Sequence, residues 1–381
     1  MLDRFYRVFS SLRLAVTCLM LSVALVFWGT IAQVYLGLYK AQNEFFRSFF
    51  VYWHPAAGVS IPIFPGGYLL GGILLINLFV AHFRYYKPGA RKLGIAMIHL
   101  GVVLLLVGQF LTDFLSQESL MHLRNGETKN YSEADRDYEL AVIDTSDKDS
   151  DKVVAIPLRL LLRRGTVTDN NLPFSVHANK FFDNSELSQQ SKPGFDPVNV
   201  NAGLATTSVW WRQLPRETET DSHDEPSGIV ELTTPQGSLG TFLVSAFIDQ
   251  PQSFAYNGRN YTLILRPERF YNSFSLHLLQ FRHDKYPGTD IPKNFSSRVR
   301  LQNLDTGEDR EVLIYMNNPL RYGGETFYQA SFDPDDQGSV LQVVHNPSWL
   351  TPYLACLLVG VGLLWQFLSH LIPFLKGRRA K

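Results

Sequence analysis

Ten histidines and two cysteines are the side chains of this 381-residue chain best suited to bind a metal, and their spacing removes most of that chemistry. Cys18 and Cys356 both fall in apolar runs, with neither a C-x-x-C nor a C-x-x-C-H arrangement, so the chain cannot attach a c-type haem to itself and its thiols read as small buried apolar residues. His122, His177, His223, His277 and His283 lie in a polar stretch without H-E-x-x-H or Cys/His spacing, which assigns them hydrogen-bonded or surface roles. His82 and His370 lie near one set of ends of the apolar runs, where imidazole reaches headgroup water, and His54 and His345 lie near the other. His99 is different, because it sits inside LGIAMIHLGVVLLLVGQF, residues 93–110. At about 1.5 Å rise per residue it is within roughly 5 Å of the middle of that run. A polar group at such depth is costly and faces a partner or a cavity. Neutral imidazole is a common axial ligand of haem iron. A helix-to-helix hydrogen bond, of order 1 kcal/mol, is the competing use. Gly94, Ala96, Gly101 and Gly108 in the same run indicate close helix packing and serve either use.

The element that carries His99 is one of four apolar runs, 12–32, 67–83, 93–110 and 350–371, each close to the roughly 20 residues that cross a bilayer. The second is the shortest and has a re-entrant segment as its alternative. Arg4, Arg7 and Arg13 precede the first run; Arg84, Lys87, Arg91 and Lys92 fill the turn between the second and third; Lys376, Arg378, Arg379 and Lys381 follow the fourth. The connection 34–66 carries only Lys40 and Arg47, so every basic cluster falls on one side and both termini are expected in the cytoplasm. The first run is too long for a signal-peptide core and no A-x-A-like site follows it, so it reads as an uncleaved anchor. Equal numbers of acidic and basic residues, 35 each, give no sign of nucleic-acid binding.

Between the third and fourth runs, 112–349 has the composition of a folded domain. YELAVID, FSVHANKFF, GIVELTT, TFLVSAF, YTLILRPERFY, FSLHLLQF, SRVRLQNL, EVLIYM and ETFYQASF are short, β-branched or aromatic, and often alternating. Turn signals such as TPQGS, YNGRN and LDTGED separate them, so a β-sandwich or open β-rich fold with few helices is expected. The polar segment 184–227 reads as an excursion from the sheet, with VWWRQL inside it as a short strand or an aromatic plug. In the loop 34–66, FFRSFFVYWHP is expected to form an amphipathic helix in the membrane interface, with Phe45, Phe46, Phe49, Phe50, Tyr52 and Trp53 as its anchors. The resulting division is 1–33 (tip and first span), 34–66 (aromatic loop), 67–111 (second and third spans), 112–349 (β-rich extracytoplasmic domain) and 350–381 (fourth span and basic tail).

This layout resembles the ResB family, also called CcsB, of System II cytochrome c biogenesis. The resemblance lies in wording as well as plan: SLRLAVTCLMLSVALVFWGTIAQ resembles the family's opening span, and HDKYPGTDIPKNFSSRVRL followed by EVLIYMNNPLRYGGETFYQASF its most recognisable domain segment. VVHNPSWLTPYLACLLVGVGLLWQF resembles its closing span, so the likeness covers nearly the whole chain. It implies a multi-pass protein of the bacterial cytoplasmic (inner) membrane with its large domain in the periplasm. The implied function is that of a subunit, not catalytic alone, of a cytochrome c haem lyase complex. With a CcsA-like partner it would carry haem b, transiently and without covalent attachment, to apocytochrome c; thioredoxin-like thiol-reducing proteins are further implied partners. The tryptophan-rich haem-handling motif belongs to the CcsA-type partner and is missing here, since Trp210 and Trp211 are followed by Arg212 and not by aspartate. By position, His99 matches the histidine of the family's third span that is thought to ligate haem, and His345, just before the fourth span, is a second candidate for covering a haem site. The segments YPGT at 286–289 and NNP at 317–319 first of all shape turns. Arg321, Tyr322 and Gln329 are candidates for docking the partner or the apocytochrome. The alternative is a scaffold that holds the partner and binds no haem.

Overall fold

A computed structural model describes residues 2–56, 58–85, 89, 92–148, 150–206, 208–218, 222–289 and 292–379. Lys87, Arg91 and Lys381, counted above among the basic clusters, lie outside the described residues. The chain divides into two compact units, Met1–Gln117 with Thr218–Asp221 and Asn346–Lys381, and Glu118–Glu217 with Ser222–His345.

The first unit begins with a short helix that the hydropathy pattern did not separate, α1 (Leu2–Phe9), ahead of α2 (Leu12–Leu36). Ser11 caps α2, its side chain accepting from the Arg13 amide at 3.2 Å. The elbow between the two helices is tied by Asn77, whose Nδ2 donates to the Phe9 and Ser11 carbonyls at 2.7 and 3.1 Å. A buried amide in an apolar helix is thereby satisfied by the last carbonyl of α1 and by that of the Ser11 cap, which also accepts from the Ala15 amide at 3.3 Å. After α2 come α3 (Leu38–Ala41), a π turn (Gln42–Phe46) and a hairpin of β1 (Phe50–Ala56) and β2 (Val59–Pro65). The expected amphipathic helix is therefore not formed: Phe45 and Phe46 end the π turn and the rest of the run enters β1, where a two-stranded ribbon tolerates Pro55, and Pro62 and Pro65 on β2, at its edges. Such a hairpin is marginal alone, and aromatic packing holds it to α2. Trp28 stands edge-on to Phe45 at 5.5 Å and to Phe64 at 5.9 Å. The Phe46 ring lies so close to Gly29 that a Cβ there would meet it at 2.7 Å.

Three more long helices follow: α4 (Gly67–Tyr85), α5 (Leu93–Leu115) and, after the second unit, α7 (Thr351–Arg379); α6 falls in that unit. Among the described residues, α2, α4, α5 and Thr351–Leu375 of α7 are long and apolar enough to cross a membrane. Each is longer than the run read from the sequence. The change matters for α5: its middle falls near residue 104, which places His99 about 7 Å from the centre rather than within 5 Å. The helices α5 and α7 pack through Gly94, Gly101 and Gly108, spaced seven apart. A Cβ at Gly94 would lie 2.7 Å from the Gly362 carbonyl oxygen, and one at Gly101 would lie 2.8 Å from that of Ala355. Cys18 is buried as expected, but Cys356 is exposed, since it lies away from this seam.

The second unit is β-rich, with a short α-helix, α6 (Leu158–Arg164), and a single 3-10 turn (Leu204–Thr206) among its described residues. Its main sheet contains β3 (Gln117–Arg124), β4 (Thr128–Asp144), β5 (Lys152–Pro157), β13 (Gln252–Tyr256), β14 (Arg259–Lys285), β15 (Pro292–Asn303), β16 (Glu308–Tyr315), β17 (Leu320–Tyr322), β18 (Glu325–Phe332) and β19 (Gly338–His345). The order is β16-β15-β14-β4-β3-β19-β18-β17, with β13 on β14 and β5 on β4. A second sheet, β12-β11-β7-β6, uses β6 (Thr166–Val167), β7 (Ser175–Phe182), β11 (Ser227–Thr234) and β12 (Gly237–Ser245). The long strand β14 serves two cores, the first of them together with β4. Leu140, Val142, Leu263 and Leu265 pack with Val176, Val230, Leu232 and Phe242. Leu276 and Leu278, farther along β14, pack with Val299, Leu301, Phe327 and Val343. The members from one strand lie two apart and so share one face of the sheet; in β4 the other face is buried as well, at Glu139 and Ala141. The segment 184–227 has strands of its own, β8 (Ser185–Ser188), β9 (Asp196–Pro197) and β10 (Trp210–Gln213), in the order β8-β10-β9. There Trp211 is buried against Phe182, ring centres 4.6 Å apart, so the tandem tryptophans begin a strand and one of them fills a core.

Candidate functional site

The seam glycines give α5 one committed face. His99 stands five residues after Gly94, about 140° around the helix at 3.6 residues per turn, so its side chain leaves on the other side. There it meets α4. The imidazoles of His82 and His99 meet edge-on with ring centroids 5.8 Å apart and planes at 72°. Both are half-buried. His99 Nδ1 is shielded from solvent and has no hydrogen-bond partner among the described residues. A buried imidazole nitrogen left in this way costs about 1–3 kcal/mol unless something else supplies a bond.

The sequence reading put His82 in headgroup water, apart from His99. The antiparallel course of α4 and α5 adds a contact that the reading lacked: His82, three residues from the end of α4, meets the ring of His99. The signal was present as two histidines on either side of a short basic turn, but facing could not be read without the helix rotation that the glycine seam imposes. Among the described residues no three His, Cys, Asp or Glu side chains are grouped so as to hold a bare metal ion. Two imidazoles do suit an iron that arrives with its four equatorial nitrogens already supplied by a porphyrin.

The other candidates are placed separately. His345 ends β19 with Nδ1 3.1 Å from Glu325 Oε1, its side chain 45% exposed. Arg321 is exposed on β17. The Tyr322 ring packs edge-on against Phe274 at 4.8 Å and its hydroxyl accepts from Asn303 Nδ2 at 3.0 Å. Gln329 accepts from Ser297 Oγ at 2.6 Å and donates to the Ser331 carbonyl at 3.0 Å. Tyr322 and Gln329 thus have bonds within their own domain. The 286–289 and 317–319 turns form as read: the Thr289 amide donates to the Tyr286 carbonyl at 3.1 Å, and Asn317 adopts φ +61°. The five other histidines of this unit all have partners, among them His122 with Asp333 at 2.7 Å and His283 with Asp336 at 2.8 Å.

One further polar cluster escaped the sequence reading. Asp113, near the end of α5, accepts from Tyr68 Oη of α4 and pairs with Arg47 Nε at 2.9 Å. A lone acid closing an apolar run and a lone arginine in the aromatic loop were its signal.

Four long apolar helices, three before and one after a β-rich domain, with an imidazole inside one of them, define the architecture expected of a ResB-like protein. The sequence model of the ResB-like family matches residues 236–347, from the start of β12 to just past β19, and the resemblance to that family is thereby shown. The matched segment contains Arg321, Tyr322, Gln329 and His345 but not His99. The chain is also similar to Protein NrfI of Wolinella succinogenes, 27% identical over 305 residues, which is 78% of this chain. The alignment covers 30% of NrfI, so the chain matches under a third of that relative's length.

Proposed function

We propose that the chain is a ResB/CcsB-type subunit of a System II cytochrome c synthesis complex. In this reading its four long helices cross the bacterial cytoplasmic membrane, the termini are cytoplasmic and the β-rich domain is periplasmic. It acts with a CcsA-like membrane partner to bring haem b across the membrane and present it to apocytochrome c, whose thiols thioredoxin-like proteins keep reduced. The ResB-like match supports a role in cytochrome c biogenesis. The observation that carries the haem assignment is the shielded, partnerless Nδ1 of His99 within an apolar helix: an axial bond to haem iron supplies what the lost water no longer does. Haem is cargo here, held in passing and without covalent attachment, since the sequence has no C-x-x-C-H motif. The β-rich domain supplies a docking surface on which exposed Arg321 is the first residue to test.

The test is co-purification of the chain with its CcsA-like partner, followed by a haem spectrum. Haem should be present in the complex, and His99→Ala or His99→Gly should change its spectrum and lower cytochrome c maturation, with partial rescue by added imidazole. An unchanged spectrum with normal maturation would instead make this chain a scaffold that touches no haem.

A further inference from the structure

Helix α1 is set against α4 by the elbow that separates it from α2. The Ser10 hydroxyl donates back to the Tyr6 carbonyl at 2.5 Å, Ser11 caps α2, and the Asn77 amide ties the elbow to α4. Arg84 lies seven residues beyond Asn77, almost two full turns, so it leaves α4 within about 20° of the face that holds the elbow and about 10 Å farther along. There α1 packs on α4. Tyr6 and Arg7 of α1 and Phe83 and Arg84 of α4 accordingly line one open cavity of about 710 Å³.

The chemistry of this cavity is selective. A guanidinium carries five N–H donors in a planar fork that matches a phosphate, and the two helices bring two such forks to one space. The Arg84 head lies over the Tyr85 ring at 5.5 Å. No described lining residue is a carboxylate. Of the three acidic residues before Glu118, only Asp3 belongs to this end of the helices, where the basic clusters gather; Glu44 and Asp113 lie at the other end. The charge calls for an anion. Phe83 is 70% exposed, and Phe5, Tyr6 and Val8 of α1 are exposed as well, so the anion must bring apolar surface with it. Inorganic phosphate would leave these rings in water, and a choline headgroup would set its own cation against the arginines. An anionic phospholipid meets both demands, with its phosphodiester between the guanidiniums and its acyl chains along the rings.

We infer that the α1–α4 cavity binds the headgroup of an anionic phospholipid, with Arg7 and Arg84 on its phosphodiester. The inference rests on the reading of the four long helices as membrane spans and is independent of haem. The step is ligand binding alone.

The full chain in detergent, offered phosphatidylglycerol or phosphatidylcholine with the same acyl chains and read by native mass spectrometry, tests it. The wild type should retain one phosphatidylglycerol at least about tenfold more tightly than phosphatidylcholine, since each basic residue favours an anionic lipid by about fivefold. Arg7→Gln and Arg84→Gln should each weaken phosphatidylglycerol by about tenfold or more, because a direct charge-assisted hydrogen bond is lost. Lys92→Gln, at the same basic end but outside the described lining, should cost no more than about fivefold, the diffuse effect of one charge. Millimolar inorganic phosphate should not displace the lipid. Equal retention of the two lipids by the wild type overturns the inference and needs no variant, so it decides the matter even where a substitution destabilises α1. An arginine variant that binds as wild type, or Lys92→Gln costing as much as the arginines, overturns it as well. Displacement by inorganic phosphate would overturn it by making the cavity a free-anion site. The membrane reading fails separately, if the chain is soluble and monodisperse without detergent.

Discussion

At the scale of single residues, the expensive placements are the informative ones. Asn77 and His99 are both polar groups in apolar helices, and they end differently. Asn77 finds two backbone carbonyls, whereas His99 keeps one nitrogen without a partner. The first therefore reads as structural and the second as a binding group. The β-rich domain offers a case in which burial has a measurable cost. Desolvation raises the Glu225 carboxyl above its usual range, Asp249 adds repulsion, and His223 only partly offsets them. A raised carboxylate pKa means that the ionised form is disfavoured in the fold. The penalty is present at neutral pH and disappears as pH falls through the folded value toward the unfolded one, about 4.3. Glu225→Gln should accordingly raise the urea midpoint of the domain at pH 7–8, with the gain shrinking steadily toward pH 4. A gain independent of pH would show that ionisation is not its source.

At the scale of elements, the packing of α5 on α7 depends on the lack of side chains at three positions. Small residues let helix backbones approach closely where lipid provides no hydrophobic drive for association. Gly101→Ala would place a methyl group 2.6 Å from Val359 Cγ2 and 2.8 Å from the Ala355 carbonyl oxygen. The helices must then separate, at a cost of about 1–3 kcal/mol. Gly360→Ala on α7 meets nothing within 4 Å and is the matched control, with a change within about 0.5 kcal/mol. Thermal unfolding of the two variants in detergent should separate them, and equal midpoints would remove the seam as the determinant of α5 rotation. Since that rotation also sets the position of His99, Gly101→Ala should perturb the haem spectrum of the proposed complex, although it lies outside the His99 side chain's own contacts.

At the scale of the molecule, the arrangement of basic residues sets the expected topology. Reporters placed in the 84–92 turn and in the β-rich domain should report opposite sides of the membrane, with the turn in the cytoplasm. Matching signals would require α5, the one long helix between the two positions, not to cross.

Composition and local pattern were enough to establish the four apolar helices, the β-rich domain between them and the anomaly of His99. Those features depend on hydrophobic content over about 20 residues or on strand alternation over five to nine, which a sequence states directly. The 34–66 loop misled because aromatic content is shared by interfacial helices and strands; its prolines and the Trp28 and Gly29 contacts of α2 selected the hairpin. Likewise, the partnership of His82 with His99 belongs to tertiary structure alone. It requires two helices to be antiparallel, at a set depth and at a set rotation, and the rotation comes from glycines and carbonyls on faces that touch neither histidine.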